Sequence, residues 1–474
     1  MALTQSFIGG VAVASDATYD NVDPSTGRSL GVVARGGQAE VDRAVETARV
    51  AQPGWASSRP EDRARVLTRI AALVLRDQEQ LALVESQDTG KPLTQARTDA
   101  AVCARYLEFY GHAVDSYYGV SIPVDEGLHV YTRREPFGVV GHILAWNYPL
   151  QLFARAVAPA VATGNAVVVK PADETPRTAV MVAKLAVEAG LPPGVLNVVT
   201  GIGVEAGAAV SAHPGIAHLG FVGSTQVGSA IAHAAAERVV PAVLELGGKS
   251  AQLVFPDADL DTAATFVTKA ILQNAGQTCS AGSRLLVHAS VHDELLSKVA
   301  VMFEATTIGP GAADRDLGPL ISTKQQRRVQ DLVSTPHGGS VVTGGSPPQA
   351  ADLGAGSFFA PTLIDDVDPG SEIARQEVFG PVLVVNRFST EDEAIALANG
   401  TDYALLGSVW TSDVSRAHRL AARIEAGQVY VNTYGAGGGV ELPFGGFKKS
   451  GYGREKGYEA LDNYTQTKTV VVRL

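Results

Sequence analysis

In the first part of the chain, apolar positions recur at the three-to-four spacing of a helix buried on one face, over Glu40–Gln52, Glu61–Arg76 and Asp99–Tyr110. Turn-rich sequence precedes them, Asp23-Pro24-Ser25-Thr26-Gly27. The rhythm then changes to two β-rich runs, Tyr117–Pro123 and Leu128–Arg134, and the polar break Val124-Asp125-Glu126-Gly127 between them predicts a hairpin. From Val139 onward strands and helices alternate. Strands at Ala166–Lys170, Leu196–Val199 and His218–Val222 interleave with helices at Thr175–Ala189, Val204–Ala212 and Val227–Ala236. Such βαβαβ order predicts a parallel sheet with crossover helices. A second α/β region follows, with strands at Ala251–Phe255, Arg284–His288, Val382–Phe388, Gly407–Trp410 and Gln428–Val431. Its helices are expected at Asp261–Gln273, His292–Ala305, Lys324–Ser334, Glu391–Ala398 and Val414–Ile424. The last seven residues, Lys468–Leu474, read as one more strand. The hairpin and this terminal strand lie outside the α/β pattern, so their edges are to be covered either by another subunit or by an extra sheet within the chain.

Composition narrows the class. At 474 residues the length suits about three domain-sized units, and 46% apolar with 18% charged residues describes a globular chain. A net charge of −11 argues against nucleic acid and anionic membranes as partners. Two cysteines without CxxC spacing exclude a disulfide framework or a zinc-finger site and fit a reducing compartment, so cytoplasm is the default. The opening MALTQSFIGGVAVASD lacks a basic start followed by a long apolar stretch, and no run reaches the roughly eighteen apolar residues of a membrane span.

Candidate chemistry centres on Gln273–Arg284, QNAGQTCSAGSR, which holds Cys279 among small and polar neighbours. A thiol is reactive where it is partly exposed and its thiolate is favoured, whereas a lone cysteine elsewhere is a small core residue. Cys103, inside the apolar face of its helix, takes the packing role. After the strand His218–Val222 comes Gly223-Ser224-Thr225-Gln226-Val227-Gly228, a glycine turn opening a helix, where unpaired N–H groups would meet a phosphate. It is GxxxxG rather than GxGxxG, so a plain strand-to-helix connection is an equal reading. Lys170 and Asp173 place a cation and a carboxylate at the carboxyl edge of the sheet, either for ribose hydroxyls or as a solvated charge pair.

Seven stretches, taken together and in order, resemble one family: FGVVGHILAWNYPLQ, VVVKPADETP, FVGSTQVG, LELGGKSAQLVF, GQTCSAGSR, QEVFGPVL and ELPFGGFKKSGYGRE. The chain is similar to NAD(P)-dependent aldehyde dehydrogenases over essentially its full length. The resemblance implies an α/β fold with a Rossmann-like parallel-sheet cofactor domain (1–116 and 135–246), a second α/β catalytic domain (247–453) and a small β oligomerisation element (117–134 and 454–474). It implies Cys279 as nucleophile, Glu245 as general base and Asn147 as oxyanion donor. Lys170 and Asp173 would serve the adenosine ribose, Gly223 and Ser224 the pyrophosphate, Glu377 the nicotinamide ribose, and Phe379 with Trp146 the nicotinamide. No metal is implied. Dimers or tetramers are.

The chemistry agrees with those assignments. Thiolate addition to an aldehyde gives a thiohemiacetal able to lose hydride, and the resulting thioester is hydrolysed by base-activated water. Asp173, where glutamate is more common, favours NAD over NADP by repelling a 2′-phosphate. Tyr148 adds a hydroxyl at the substrate entrance, and Arg155, eight positions beyond Asn147, resembles a residue that binds the substrate carboxylate in succinic semialdehyde dehydrogenases, but ARAVAPAVATGNAVVVKP also resembles aromatic-aldehyde members and Gln273 stands where semialdehyde enzymes carry a second arginine. The loop Gly435-Ala436-Gly437-Gly438-Gly439 offers few side chains, which suits a roomy entrance. The expected activity is NAD-dependent oxidation of a small aldehyde to its acid. A CoA-acylating enzyme is the alternative, against which Glu245 argues because a hydrolytic base is dispensable there; a non-catalytic protein of the same fold is another.

Overall fold

The computed structural model describes residues 3–350, 353–435 and 439–474. Two sheets dominate it. The first has eight strands, in the order Gly451–Tyr452, Ala242–Glu245, His218–Val222, Val139–Ile143, Ala166–Lys170, Leu196–Val198, Ser6–Ile8 and Val11–Val13. Its five central strands are parallel, and chain order reverses between Val139–Ile143 and His218–Val222. The all-apolar run of Ala166–Val169 has the composition of a strand covered on both faces, and every residue from Ala166 to Lys170 is buried. Apolar clusters on the two faces of the sheet supply that cover, one containing Val167 and Val169 and the other Ala166 and Val168.

The second sheet has seven strands, Ser340–Thr343, Thr362–Asp365, Val382–Phe388, Arg284–His288, Ala251–Val254, Leu406–Trp410 and Gln428–Val431, all parallel except the first. The fold is therefore α/β with mixed but largely parallel sheets, as the strand–helix alternation implies. Gly451–Tyr452, late in the chain, joins the first sheet beside Ala242–Glu245 rather than the second.

The hairpin and the terminal strand meet within the chain. Thr465–Arg473 pairs antiparallel with Leu128–Pro136 over nine residues, from Thr465 opposite Pro136 to Arg473 opposite Leu128, and Ser121–Ile122 closes a three-stranded sheet. Two helices escape the spacing argument. Gln78–Thr89 carries its apolar residues without a regular stripe, and Pro149–Ala162 is buried at every position but Gln151, so no polar face marks its period. No described helix is long and apolar enough to cross a membrane.

Candidate active site

Open α/β sheets bind ligands outside the carboxyl ends of their strands, at the point where strand order reverses. Asn147 follows strand Val139–Ile143, Lys170 ends its strand, Gly223 and Ser224 follow His218–Val222, and Glu245 ends Ala242–Glu245. All of them lie along the carboxyl edge of the first sheet. The second sheet contributes from the opposite end of its strands. Gly247 to Lys249 precede Ala251–Val254, Cys279 precedes Arg284–His288, and Glu377 and Phe379 precede Val382–Phe388. The amino edge of one sheet thus meets the carboxyl edge of the other, and the candidate residues sit on both sides of the seam.

The cysteine loop is sharply bent. After helix Leu260–Leu272, Asn274, Ala275 and Gly276 take φ of 51°, 53° and 72°. A Cβ on Gly276 would lie 2.0 Å from the Gly380 carbonyl oxygen, so glycine is required there by both conformation and space. Gln277 fastens the loop: its Oε1 accepts from the Ile321 N–H at 2.8 Å, and its Nε2 donates to the Asn274 carbonyl at 3.1 Å. Asn147 Nδ2 donates to the Gln277 carbonyl at 3.1 Å, and the Tyr148 and Thr278 hydroxyls are 2.8 Å apart. Asn147 and Tyr148 therefore touch the residues just before Cys279.

Cys279 is half-buried against Leu405, Leu406, Tyr434 and Phe444. In the chain by itself these surroundings favour the protonated thiol. Burial pushes the thiol up to about 12; the Arg155 charge opposes that rise, and Glu245 and Glu377 add to it. Glu245 is 1% exposed, and neither of its carboxyl oxygens has a hydrogen-bond partner among the described residues. Burial first, and then the Glu455 carboxylate, hold it well above the usual carboxylate range, with Arg155, Arg454 and Lys456 opposing.

Arg155 is buried in an ion pair. It is 6% exposed, ion-paired with Glu455, which is 3% exposed, and its guanidinium carbon is 5.1 Å from the Phe444 ring centroid. Glu455 meets its charge from inside the protein, while its Nη2 has no hydrogen-bond partner among the described residues and its charge still reaches Cys279 and Glu245. Tyr148, the other residue expected at the entrance, stands on the wall of a cavity. It borders a 630 Å³ cavity with Gln95, Asp99, Gln151, Lys269 and Gln273, and Lys269 and Gln273 also border a 180 Å³ cavity reaching Thr278, Ser280 and Tyr434. Of the glycine loop expected beside this entrance, Ala436, Gly437 and Gly438 lie outside the described residues.

On the cofactor side, Lys170 is ion-paired with Asp173, whose second oxygen accepts from the Gly203 N–H at 3.1 Å. Lys170 is buried and the Asp173 side chain is partly exposed, so the pair closes the strand end rather than standing in open solvent. Ser224 caps helix Thr225–Arg238, its hydroxyl accepting from the Val227 N–H at 3.4 Å. A Cβ on Gly223 would meet the Phe221 ring at 2.5 Å. Glu377 Oε1 accepts from the Gly248 N–H at 3.0 Å, and burial pushes this carboxyl up to about 7. Trp146 and Phe379 meet edge to face at 5.2 Å, with Phe379 at φ 57°. Such a backbone is strained for an aromatic residue, and strain of this kind gathers at functional sites.

Sequence reasoning missed several neighbours. Glu455 is 210 residues beyond Glu245 and carries no local signal. Tyr434 donates from its hydroxyl to the Ser280 carbonyl. Lys91, Glu85 and Asp99 form a buried ion cluster beneath Asn147. Lys249, 1% exposed, has no hydrogen-bond partner for its amine among the described residues, and burial with Arg284 nearby brings it down to about 7.

Comparison with known proteins agrees with this fold. The sequence profile of the aldehyde dehydrogenase family matches residues 11–470. A putative aldehyde dehydrogenase from Burkholderia cenocepacia is 50% identical, with a TM-score of 0.97 over 99% of this chain and 100% of that one. A mutant of the P. syringae AldA indole-3-acetaldehyde dehydrogenase, solved with NAD+ and IAA, is 38% identical with a TM-score of 0.97 over 99% and 96%. The aldehyde dehydrogenase KauB from Pseudomonas aeruginosa is also 38% identical, with a TM-score of 0.97 over 99% and 97%. The family match and these neighbours make the protein an oxidoreductase acting on aldehydes. The chain belongs to the aldehyde dehydrogenase family.

Proposed function

We propose that the protein oxidises an aldehyde to its carboxylic acid with NAD as hydride acceptor. One observation carries this reading: an unpartnered, buried Glu245 carboxyl ends a strand beside a half-buried Cys279 thiol, and the two influence each other electrostatically. The Cys279 sulfur, once deprotonated, attacks the aldehyde carbon and forms a C–S bond. The Asn147 amide and the Cys279 backbone N–H donate to the oxygen that becomes anionic. When bound, NAD supplies the acceptor for the hydride that leaves this thiohemiacetal. Glu245 then takes a proton from water, whose oxygen adds to the thioester carbon, and the acid leaves as the C–S bond breaks.

The cofactor crevice fits a dinucleotide. Its strand ends offer a buried lysine and a fixed carboxylate for ribose hydroxyls (Lys170, Asp173), and Gly223 and Ser224 lie at the amino end of a 14-residue helix for a pyrophosphate. Glu377 suits the second ribose, with Trp146 and Phe379 beside the nicotinamide. The NAD+ complexes of the P. syringae enzyme and of a second indole-3-acetaldehyde dehydrogenase support the choice of cofactor. NADP is disfavoured by the Asp173 carboxylate. The cavity lined by Tyr148 and Gln151 suits a substrate entrance, since a neighbouring cavity that shares Lys269 and Gln273 reaches Thr278 and Ser280 on either side of Cys279, and Arg155 is ion-paired with Glu455. The three-stranded sheet keeps free edges at Ser121–Ile122 and Thr465–Arg473 for a homodimer or homotetramer, and two unpaired thiols suit the cytoplasm.

NADH formation with aliphatic, aromatic and carboxylated aldehydes tests the reading. Cys279→Ala is expected to abolish it while NAD binding persists, and Glu245→Gln to give a single NADH burst with a persistent acyl-enzyme mass. Full turnover by either folded variant would remove that residue from its role. Acyl-CoA formation on adding CoA would favour the acyl-transfer reading instead.

A further inference from the structure

Lys91 is a fully enclosed cation far in sequence from the reacting residues. Helix Gln78–Thr89 ends on Gly90 at φ 77°, where a Cβ would lie 2.4 Å from Pro319 Cγ. This tight left-handed turn sends the next side chain inward. Lys91 is 1% exposed, and its ammonium meets three acceptors: Glu85 Oε1 at 3.1 Å, Asp99 Oδ2 in a closer contact, and the backbone carbonyl of Asn147 at 3.0 Å. Three donors meet three acceptors, so none of its hydrogen-bonding capacity is left over. The same ammonium sits 4.4 Å from the centre of the Tyr148 ring.

The two carboxylates extend the grip. Glu85 Oε2 accepts from the Leu150 N–H at 3.0 Å, satisfying an otherwise orphaned donor in the first turn of helix Pro149–Ala162. Asp99 Oδ1 accepts from Gln151 Nε2 at 2.6 Å. On its other side the Asn147 carbonyl accepts from Asn274 Nδ2 at 2.9 Å. The turn from Asn147 to Gln151 is thus held at three points by one ion cluster, and Asn147 is also tied to the cysteine loop. Burial pushes Glu85 up to about 8, with the Lys91 charge opposing.

We infer that Lys91 is a positioning residue for Asn147, its ammonium on the Asn147 carbonyl fixing the direction in which the Asn147 side-chain amide faces the Cys279 loop. The inference rests on the proposed role of Asn147 as oxyanion donor. The bond that satisfies the third donor of the ammonium also ties down the backbone of Asn147, whose carbonyl is held from the other side by Asn274. Misplacing a reacting group by about 1 Å costs on the order of 10²-fold in rate. Lys91→Met should therefore lower kcat by about 10- to 100-fold while the Kd for NAD, followed by fluorescence, stays the same.

A double-mutant cycle separates positioning from general stability. Asn147→Ala alone is expected to cost about 10²- to 10³-fold in kcat. In that background Lys91→Met should cost less than about threefold more, because the group it positions is gone. If the two losses multiply in full, or if Lys91→Met turns over at the wild-type rate, the inference is overturned. A wild-type rate for Asn147→Ala would instead sink the oxyanion reading itself. Should Lys91→Met fail to fold because two carboxylates lose their cation, Lys91→Met with Glu85→Gln and Asp99→Asn keeps a neutral cluster. That variant must show the same loss in the Asn147 background and the same insensitivity in the Asn147→Ala background, or the inference falls.

Discussion

Replacing Glu455 by glutamine perturbs the two reacting groups without touching either. The Arg155 and Glu455 side chains are 7% and 4% exposed, so solvent screens their pairing little. At an effective dielectric of about 20, opposite charges about 4 Å apart attract by about 4 kcal/mol, and removing one partner of a buried pair costs roughly 3–5 kcal/mol. The amide oxygen of Glu455→Gln can still accept from Arg155, which places the loss near the lower end, about 3 kcal/mol. Activity should respond in a direction that stability alone does not dictate. The Glu455 carboxylate is the foremost charge raising Glu245, and Arg155 lowers both Glu245 and Cys279. With Glu455 neutral, Arg155 is left facing both groups. Both work in their deprotonated forms, so the rising limb of kcat/KM against pH should move to lower pH. Urea denaturation measures the first effect and a pH–rate profile the second. A limb that stays in place or moves to higher pH would refute the coupling, whatever the stability change.

Asp173→Ser should shift the ratio of specificity constants toward NADP, since it removes the carboxylate that faces a 2′-phosphate; an unchanged ratio would show that the carboxylate serves only Lys170 and Gly203. Two buried histidines predict an acid limb in stability. Burial brings His142 down to about 3 and His218 to about 4, so the unfolded chain, with ordinary values of 6.5, binds protons that the folded chain refuses. Stability is full above about 6.5 and falls as pH drops from there toward 4 and 3. His142→Phe should flatten that fall in denaturation midpoints measured from pH 7 to 5, and an equally steep fall would assign the limb elsewhere.

What could be read in the sequence was what depends on near neighbours. Strand–helix alternation gave the parallel order of Ala166–Lys170, Leu196–Val198 and His218–Val222 because each crossover is local. The bend before Cys279 is foreshadowed by its glycines. Helix Pro149–Ala162 was hidden because burial on all sides erases the stripe that marks an amphipathic helix. Lys91 and Glu455 were invisible for another reason. Their partners, Asn147 and Arg155, are 56 and 300 residues away, and a contact made only by folding leaves no period in the chain. The surroundings of Cys279 were hidden in the same way: polar neighbours in sequence suggest an open loop, while the neighbours in space include Leu405, Tyr434 and Phe444.

The late edge strand Gly451–Tyr452 has a consequence for how the enzyme is made. Leu244 and Glu245 find their partners in Tyr452 and Gly451, and Glu455 follows a few residues later. At about 5–20 residues per second, roughly 10–40 s of synthesis separate the emergence of the strand that ends in Glu245 from that of its neighbour. During that interval the growing chain displays an unpaired sheet edge ending in a carboxyl whose pocket does not yet exist, and any premature pairing of that edge must be undone before the last residues arrive. The edge beside Glu245 can close only after the chain has emerged past Gly451 and Tyr452, when nearly all of it has been made.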